Sequence, residues 1–414
     1  MTAGFTVDGP VPHDRHPAGQ RVRLALVGFG SWGPNYARVL NELPDAQLTV
    51  VCDRRPDRLA LARDRHRAVS TCDNLDDLFA RDDVDALVIA TPASTHEELV
   101  RIALHNGRHV LVEKPMALNV DGCNALYDLA ESAGRVLMVG YTFLYNGGVR
   151  KMKECMRPDE FGRPYYLHAT RTNLGPIRQD VNAVWDLAPH DIAIFNYLLD
   201  EQPLWASAIG TRVLRTTRDD VAFATLGYSS DVVGNIHVSW TDPDKVREVV
   251  AVGSRRRVVF NDLNDGERVR VFERGVSAGE AIVDSYGEFK LLVRDGDIVS
   301  PKIEPSEPLK NQCLDFVASI VTGRPQLAKG RFGLRRQRDP RPSRHPSGSH
   351  RRAARAIAGG TPKAVPYVRE ESEVVGHRFS GAVPPTYERS QCRRAPLQRC
   401  RGSACLDERR ARVG

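Results

Sequence analysis

Lys114, Asp186 and His190 are the side chains of this sequence best suited to move a proton to or from a hydroxyl. Lys114 stands in Glu113-Lys114-Pro115, directly after the apolar run His109–Val112. There, burial or a neighbouring charge can lower a lysine's pKa enough for proton exchange. Asp186 and His190 lie four apart in Trp185-Asp186-Leu187-Ala188-Pro189-His190-Asp191, so a helix sets them on one face. An aspartate so placed can orient the imidazole, support a metal ligand, or form a structural pair at a helix start. Spacing alone leaves the three open, just as Lys114 alone is compatible with a surface lysine at a strand end.

A second patch of chemistry comes earlier. The apolar run Val22–Val27 leads into Gly28-Phe29-Gly30-Ser31-Trp32-Gly33, and a helical pattern follows. In such a loop the first glycine permits a tight turn, the second lets backbone approach a pyrophosphate, and the third lets the helix pack on the strand with its N-terminus facing the phosphates. Phe29 and Trp32 belong to the same loop. Asp53 follows Gly33 by twenty residues, at the end of the next strand, where a carboxylate accepts hydrogen bonds from the adenosine ribose hydroxyls. Its charge repels a 2′-phosphate, which favours NAD over NADP, although Arg54 and Arg55 soften that preference. Ala90-Thr91-Pro92 closes another apolar run at what must be the same edge, since ligands of open α/β sheets bind outside the carboxyl ends of the strands.

These residues need a scaffold, and its pattern is readable. Strands are expected at Val22–Val27, Leu48–Cys52, Ala86–Ala90, His109–Val112 and Val136–Val139, separated by helical stretches such as Pro34–Leu43 and Thr95–Asn106. Strands apolar almost throughout and alternating with helices imply a parallel sheet covered on both faces, the doubly wound α/β or Rossmann arrangement. From Tyr165 the pattern becomes a series of strands: Tyr165–Thr172, Ala206–Leu214, Val221–Tyr228, Val232–Trp240, Val246–Gly253 and Arg256–Asn261. With an inserted helix at Asp186–Leu199 and a later one at Leu309–Thr322, this predicts an α+β domain around a mostly antiparallel sheet. The expected organisation is a flexible leader over 1–20, a dinucleotide-binding domain over 21–142, a substrate and oligomerisation domain over 143–330, and an irregular basic tail over 331–414.

Composition narrows the function classes. The net charge of +7 suggests a nucleic-acid partner, yet residues 331–414 hold 20 Lys/Arg and 7 Asp/Glu, which leaves 39 basic and 45 acidic residues before them. The basic character belongs to the tail, which has neither interleaved aromatics nor a nucleic-acid-binding module, so nucleic acid is not expected. No apolar run reaches the roughly 18 to 20 residues of a membrane span, and a soluble cytoplasmic protein is expected. The eight cysteines are dispersed without a C-x-x-C pair, which suggests neither a disulfide framework nor a zinc site; no metal is expected.

Taken together, residues 21–330 resemble the Gfo/Idh/MocA oxidoreductases. Gly28 to Gly33, Ala90 to Pro92 with Ser94-Thr95-His96, Glu113-Lys114-Pro115, Gly140-Tyr141-Thr142-Phe143 and Asp186 to His190 stand in that family's order and spacing. Phe143-Leu144-Tyr145-Asn146, Arg171 to Gly175, Asp180-Val181-Asn182, Trp185 to Asp191 and His237 to Trp240 are similar to its branch of sugar-nucleotide 3-dehydrogenases, which act on UDP-N-acetylglucosaminuronic acid or UDP-glucose. The resemblance implies that Lys114 and His190 are the catalytic pair with Asp186 in support. Hydride would pass from ring carbon 3 to the nicotinamide while Lys114 or His190 takes the hydroxyl proton. It also places His96, Glu113, Lys114 and Trp185 with the glycine loop, Asp53, Arg54 and Ala90–Pro92 around NAD. Tyr145, Arg171, Asn173 and Asn182 join His190 as substrate ligands, because a phosphate-rich sugar needs directional donors and an arginine suits pyrophosphate. A homo-oligomer formed through the second-domain sheet is expected. Two alternatives stand beside this: the same chemistry on an inositol, a free sugar or a biliverdin-like tetrapyrrole, and a dinucleotide-binding protein without catalysis. The tail departs from the resemblance, since the family continues past a position like Lys329 with a short turn and an amphipathic helix. One choice of codons for Leu334–Arg341, read one base later, spells Ser-Val-Val-Ser-Ala-Ile-Leu, so a shifted frame near residue 330 is the expected origin of this irregular tail.

Overall fold

A computed structural model of the chain describes residues 19–328 apart from 176, 179, 215 and 279–290. The leader up to residue 18 and the basic tail, with its shifted-frame reading, lie outside the described residues.

The first half alternates strands and helices: β1 (Val22–Val27), α1 (Gly33–Glu42), β2 (Ala46–Cys52), α2 (Pro56–Arg65), β3 (Ser70–Cys72), α3 (Leu75–Phe79), β4 (Ala86–Ile89), α4 (His96–His105), β5 (His109–Val112), α5 (Val120–Ser132) and β6 (Leu137–Val139). The six strands are parallel in the order β3-β2-β1-β4-β5-β6. Every residue of β4, β5 and β6 is buried, as strands covered on both faces require. The three-residue β3 escaped the sequence reading because it is too short to carry a pattern. Chain direction across the sheet reverses between β1 and β4, where open α/β sheets form their ligand crevice. Register brings the glycine loop, Asp53 and Ala90 to that point: Val27 stands opposite Cys52 and Ile89, Gly28 N–H donates to the Cys52 carbonyl, and Ala90 N–H donates to that of Val27.

The second half consists of α6 (Gly147–Cys155), α7 (Pro158–Phe161), β7 (Pro164–Leu174), α8 (Ala183–Leu199), β8 (Trp205–Thr211), β9 (Val221–Gly227), β10 (Val233–Ser239), β11 (Thr241–Gly253), β12 (Arg257–Asn261), β13 (Val269–Phe272), β14 (Gly275–Ala278), β15 (Leu291–Arg294), β16 (Ile298–Val299) and α9 (Pro308–Thr322). Eight of these strands form a sheet in the order β16-β13-β12-β11-β7-β10-β9-β8, antiparallel except where β10 runs parallel to β7. Alternation sorts its faces: Leu167, Ala169, Ala222, Ala224, Ile236 and Val238 turn inward against Phe195 and Leu198 of α8. Ile209, Phe223, Val233 and Tyr166 are among the exposed hydrophobics. Helix α8 begins at Ala183, three residues before the expected start, because Asn182 caps it by accepting the Trp185 N–H at 3.0 Å. Pro189 lies inside α8 and leaves the Trp185 carbonyl without its intrahelical donor, yet the helix continues under the apolar load of Ile192, Ile194, Phe195 and Leu198.

Helix α9 belongs by sequence to the second half and by packing to the first. Leu309, Cys313, Phe316, Val317 and Ile320 are buried in one cluster with Val22, Leu24, Tyr36, Val39 and Leu40. Arg38 of α1 reinforces the contact by pairing with Glu307. Phe316 is fully buried in that cluster, so Phe316→Ala opens a cavity in the shared core and costs about 3–5 kcal/mol. Denaturant unfolding of the variant against the parent measures this loss.

Candidate active site

The glycine loop is shaped for a dinucleotide. Gly28 has φ +96°, and a Cβ there would stand 2.8 Å from the Ala90 carbonyl oxygen; one at Gly33 would stand 2.4 Å from that of Gly28. Both glycines let backbone segments close on each other. Gly30 differs, since a Cβ there would meet nothing within 4 Å. Its open side faces no protein atom, and α1 just beyond has no side-chain cap on its N-terminus, which leaves donors suited to an anionic group. Asp53 accepts the Phe29 N–H at 2.6 Å through Oδ2 and the Arg55 N–H at 2.9 Å through Oδ1, so the carboxylate also braces the turn. The Phe29 ring is fully buried, whereas Trp32 and Arg54 are exposed. These residues fit NAD. The phosphates would lie against Gly28 to Gly33 and the ribose beside Asp53.

At the neighbouring strand ends, Thr91 Oγ1 and Thr95 Oγ1 lie 2.7 Å apart, and Pro92 is exposed. His96 is buried, with Nδ1 2.7 Å from the Pro115 carbonyl oxygen and Nε2 2.8 Å from that of Thr91. The ring therefore clamps the Ala90–Pro92 loop to the cis Lys114–Pro115 segment from behind. Glu113 accepts a hydrogen bond from Tyr36 Oη at 2.7 Å and one from its neighbour's backbone, Lys114 N–H, at 3.2 Å.

Lys114 reaches across to α8, where Nζ donates to the Asp186 carbonyl oxygen and, at 3.2 Å, to Asp186 Oδ1. Asp186 also accepts from Arg178 Nη1 at 3.3 Å and from Trp240 Nε1, through Oδ2, at 3.2 Å. One turn further along α8, His190 packs on Phe143 with ring centroids 5.0 Å apart. Its Nδ1 is buried and has no hydrogen-bond partner among the described residues. Burial, and then the charges of Lys114, Arg171 and Arg247, push the imidazole well below its usual range, so it is neutral at neutral pH. Lys114, Asp186 and His190 thus come together from the parallel sheet's edge and from α8. Trp185 is half-buried on the first turn of that helix.

The expected substrate ligands are placed differently. Tyr145 is fully buried and donates to Asp315 Oδ2 at 2.7 Å, which leaves it inside the α9 contact with no face for a ligand. Arg171 is also buried; it donates to Asp191 from Nε at 2.9 Å and from Nη2 at 2.7 Å, and lies 4.3 Å over the Phe143 ring. The Tyr145 hydroxyl and two of the three Arg171 nitrogens are thereby committed to carboxylates of the protein. Asn182 uses its side-chain oxygen as the α8 cap, and Asn173 stands half-buried near the end of β7. The arginines that do sit beside the pair are Arg178 and Arg247, both partly exposed and paired with Asp180 and Asp262. Arg247 faces Arg171 across the β7–β11 register, so alternation within Val246–Gly253 could have found it. Arg178 lay in a loop with no period to follow. Among the described residues no group of three or more His, Cys, Asp and Glu could hold a metal ion, and no helix is long and apolar enough to cross a membrane.

Because Gly30 faces open space, Gly30→Val should fold with unchanged stability while weakening NAD at least about tenfold. Paired unfolding and nucleotide-binding titrations check both halves of that expectation.

Known proteins match both halves of the chain. Residues 22–141 match the oxidoreductase family with an NAD-binding Rossmann fold, and residues 149–259 match the GFO/IDH/MocA C-terminal domain. The chain is 27% identical over 319 residues to UDP-N-acetylglucosamine 3-dehydrogenase of Acidithiobacillus ferrooxidans, covering 76% of this chain and 93% of that one. A solved structure of that enzyme superposes with a TM-score of 0.64 at 25% identity and the same two coverages. Myo-inositol 2-dehydrogenase of Thermotoga maritima is 23% identical over 329 residues, covering 75% of this chain and 92% of the relative. With both of its halves matched and the dinucleotide loop built as described, the chain belongs to the Gfo/Idh/MocA family of NAD-dependent oxidoreductases.

Proposed function

We propose that the protein oxidises a ring hydroxyl, that of carbon 3, on a nucleotide-linked sugar, with Lys114 and His190 as the catalytic pair and Asp186 as their support. The observation that carries this reading is the meeting of Lys114 with Asp186 one helical turn from a neutral, unpartnered His190. Bound NAD supplies the carbon that accepts hydride. Lys114, fixed by the carbonyl and carboxylate of Asp186, offers N–H donors to the substrate oxygen. His190, kept neutral by burial and by three nearby cations, takes the hydroxyl proton. It loses that capacity only as pH falls through its lowered pKa. Arg178 and Arg247 take the anion-binding role first assigned to Arg171, because each remains partly exposed beside the pair. The sugar nucleotide is favoured by likeness to an enzyme named for UDP-N-acetylglucosamine; the likeness to inositol dehydrogenases defines the competing substrate.

NADH formation measured with UDP-N-acetylglucosamine, its uronate, UDP-glucose, free glucose and myo-inositol discriminates these readings, and turnover with myo-inositol alone overturns the nucleotide-sugar assignment. Lys114→Ala and His190→Ala should each lower turnover about 10²-fold or more with NAD affinity nearly unchanged. Near-normal turnover in both variants removes them from the chemistry.

We also infer a homo-oligomer joined through the second sheet. The reading is supported by Ile209, Phe223, Tyr166 and Val233, which are 68%, 47%, 47% and 41% exposed on strands β8, β9, β7 and β10. Light scattering should show the doubly substituted Ile209→Glu/Phe223→Glu chain at a smaller mass than the parent; equal masses refute this interface.

A further inference from the structure

Tyr36 on α1 and Gln312 on α9 are polar side chains with no solvent exposure, and the reaction proposed above uses neither. They meet each other, with Gln312 Nε2 donating to Tyr36 Oη at 3.0 Å. We propose that Tyr36 and Gln312 are positioning residues that hold Glu113 as an acceptor-only carboxylate against the Lys114 backbone, and thereby fix the strand end that carries the reacting lysine. The consequence for catalysis rests on the role proposed for Lys114; the hydrogen-bond chain does not.

Its polarity follows from counting protons. The Gln312 carbonyl accepts from Thr142 Oγ1 at 2.9 Å, which turns the amide nitrogen toward Tyr36. With its oxygen already accepting, Tyr36 gives its single proton to Glu113 Oε1 at 2.7 Å. Glu113 Oε2 accepts the Lys114 N–H at 3.2 Å, so both carboxylate oxygens receive donors, the arrangement that favours the ionised group. Were the Gln312 amide reversed, its oxygen would take the Tyr36 proton, and Glu113 would need a proton of its own to keep the bond. The orientation of one amide and the charge of Glu113 are therefore a single variable. The groups facing Glu113 are Tyr36 from α1, Lys114 beside it, His96 from α4 and Cys313 from α9. Burial pushes the Glu113 carboxyl up, while the Tyr36 hydrogen bond, the Lys114 charge and backbone, and His96 pull it down. Tyr36 and Cys313 are themselves pushed up and stay neutral. A Cβ at Gly140 would stand 3.3 Å from Glu113, so the wall behind the carboxylate is closely packed. Loss of the donated proton thus leaves burial with less to oppose it.

The test compares the full-length parent with Tyr36→Phe and Gln312→Met. Infrared spectra of substrate-free protein, with the Glu113 band assigned by its absence in Glu113→Gln, should show no protonated Glu113 at neutral pH in the parent, a protonated carboxyl band in Tyr36→Phe, and none in Gln312→Met, where Tyr36 keeps its proton to give to Glu113. In Tyr36→Phe, kcat should fall at a higher pH than in the parent, in a limb separate from that of His190, as protonation of Glu113 releases the strand end that carries Lys114. A folded Tyr36→Phe with Glu113 still ionised overturns the proposal, even if kcat has fallen. Should either variant fail to fold, Thr142→Val leaves Tyr36 and Gln312 in place and releases only the amide. It should produce the same carboxyl band, and its absence there also counts against the proposal. Because the infrared reading needs no turnover, it stays decisive if Lys114 proves uninvolved in catalysis.

Discussion

Asp186 is the residue at which the two sheets are tied chemically. Its carboxylate and carbonyl hold Lys114 from the edge of the parallel sheet, while Arg178 and the Trp240 indole approach from the second half. Three donors of different origin converge on this one residue, so the geometry of the candidate site depends on the contact. Without Asp186 the Lys114 amine would be left part-buried and unpaired, which is far more costly than a pair exposed to water.

The same economy of charge extends along α8. Arg171 and Asp191 are buried together with bidentate geometry, an arrangement tolerated in a low-dielectric interior because every donor toward the carboxylate is matched. Arg171 acts on His190 by field: with Lys114 and Arg247 it disfavours a charge on the imidazole. Desolvation acts in the same direction, and the outcome is an imidazole free to accept a proton. The anchoring of α8 beneath the second sheet, through Phe195 and Leu198, keeps that imidazole one turn from Asp186.

Helix α9 completes the support. Its apolar stripe fills the outer layer of the parallel sheet, and the polar residue in the middle of that stripe, Gln312, reaches the Glu113 network behind Lys114. Packing and proton placement are thus carried by one element. Tyr145, whose hydroxyl donates to Asp315 of the same helix, serves that attachment, which explains why a tyrosine in an apparently ligand-bearing motif has no accessible face.

Periodicity and short-range spacing determined much of this from the sequence alone. The apolar runs Val22–Val27 and His109–Val112 could only be covered parallel strands, and the glycine loop followed at twenty residues by Asp53 described a dinucleotide site before any contact was known. Lys114, Asp186 and His190 were visible as chemistry, since residue type and an i,i+4 spacing are local properties. What remained hidden were relations between distant residues. That Arg171 pairs with Asp191, that Tyr145 faces α9, and that Gln312 meets Tyr36 rather than solvent all depend on elements brought together from 20 to 276 residues away. Local pattern records which face of a strand or helix is apolar; only tertiary packing decides what each buried polar group meets, because burial removes water as an alternative partner and leaves the neighbouring element to supply one.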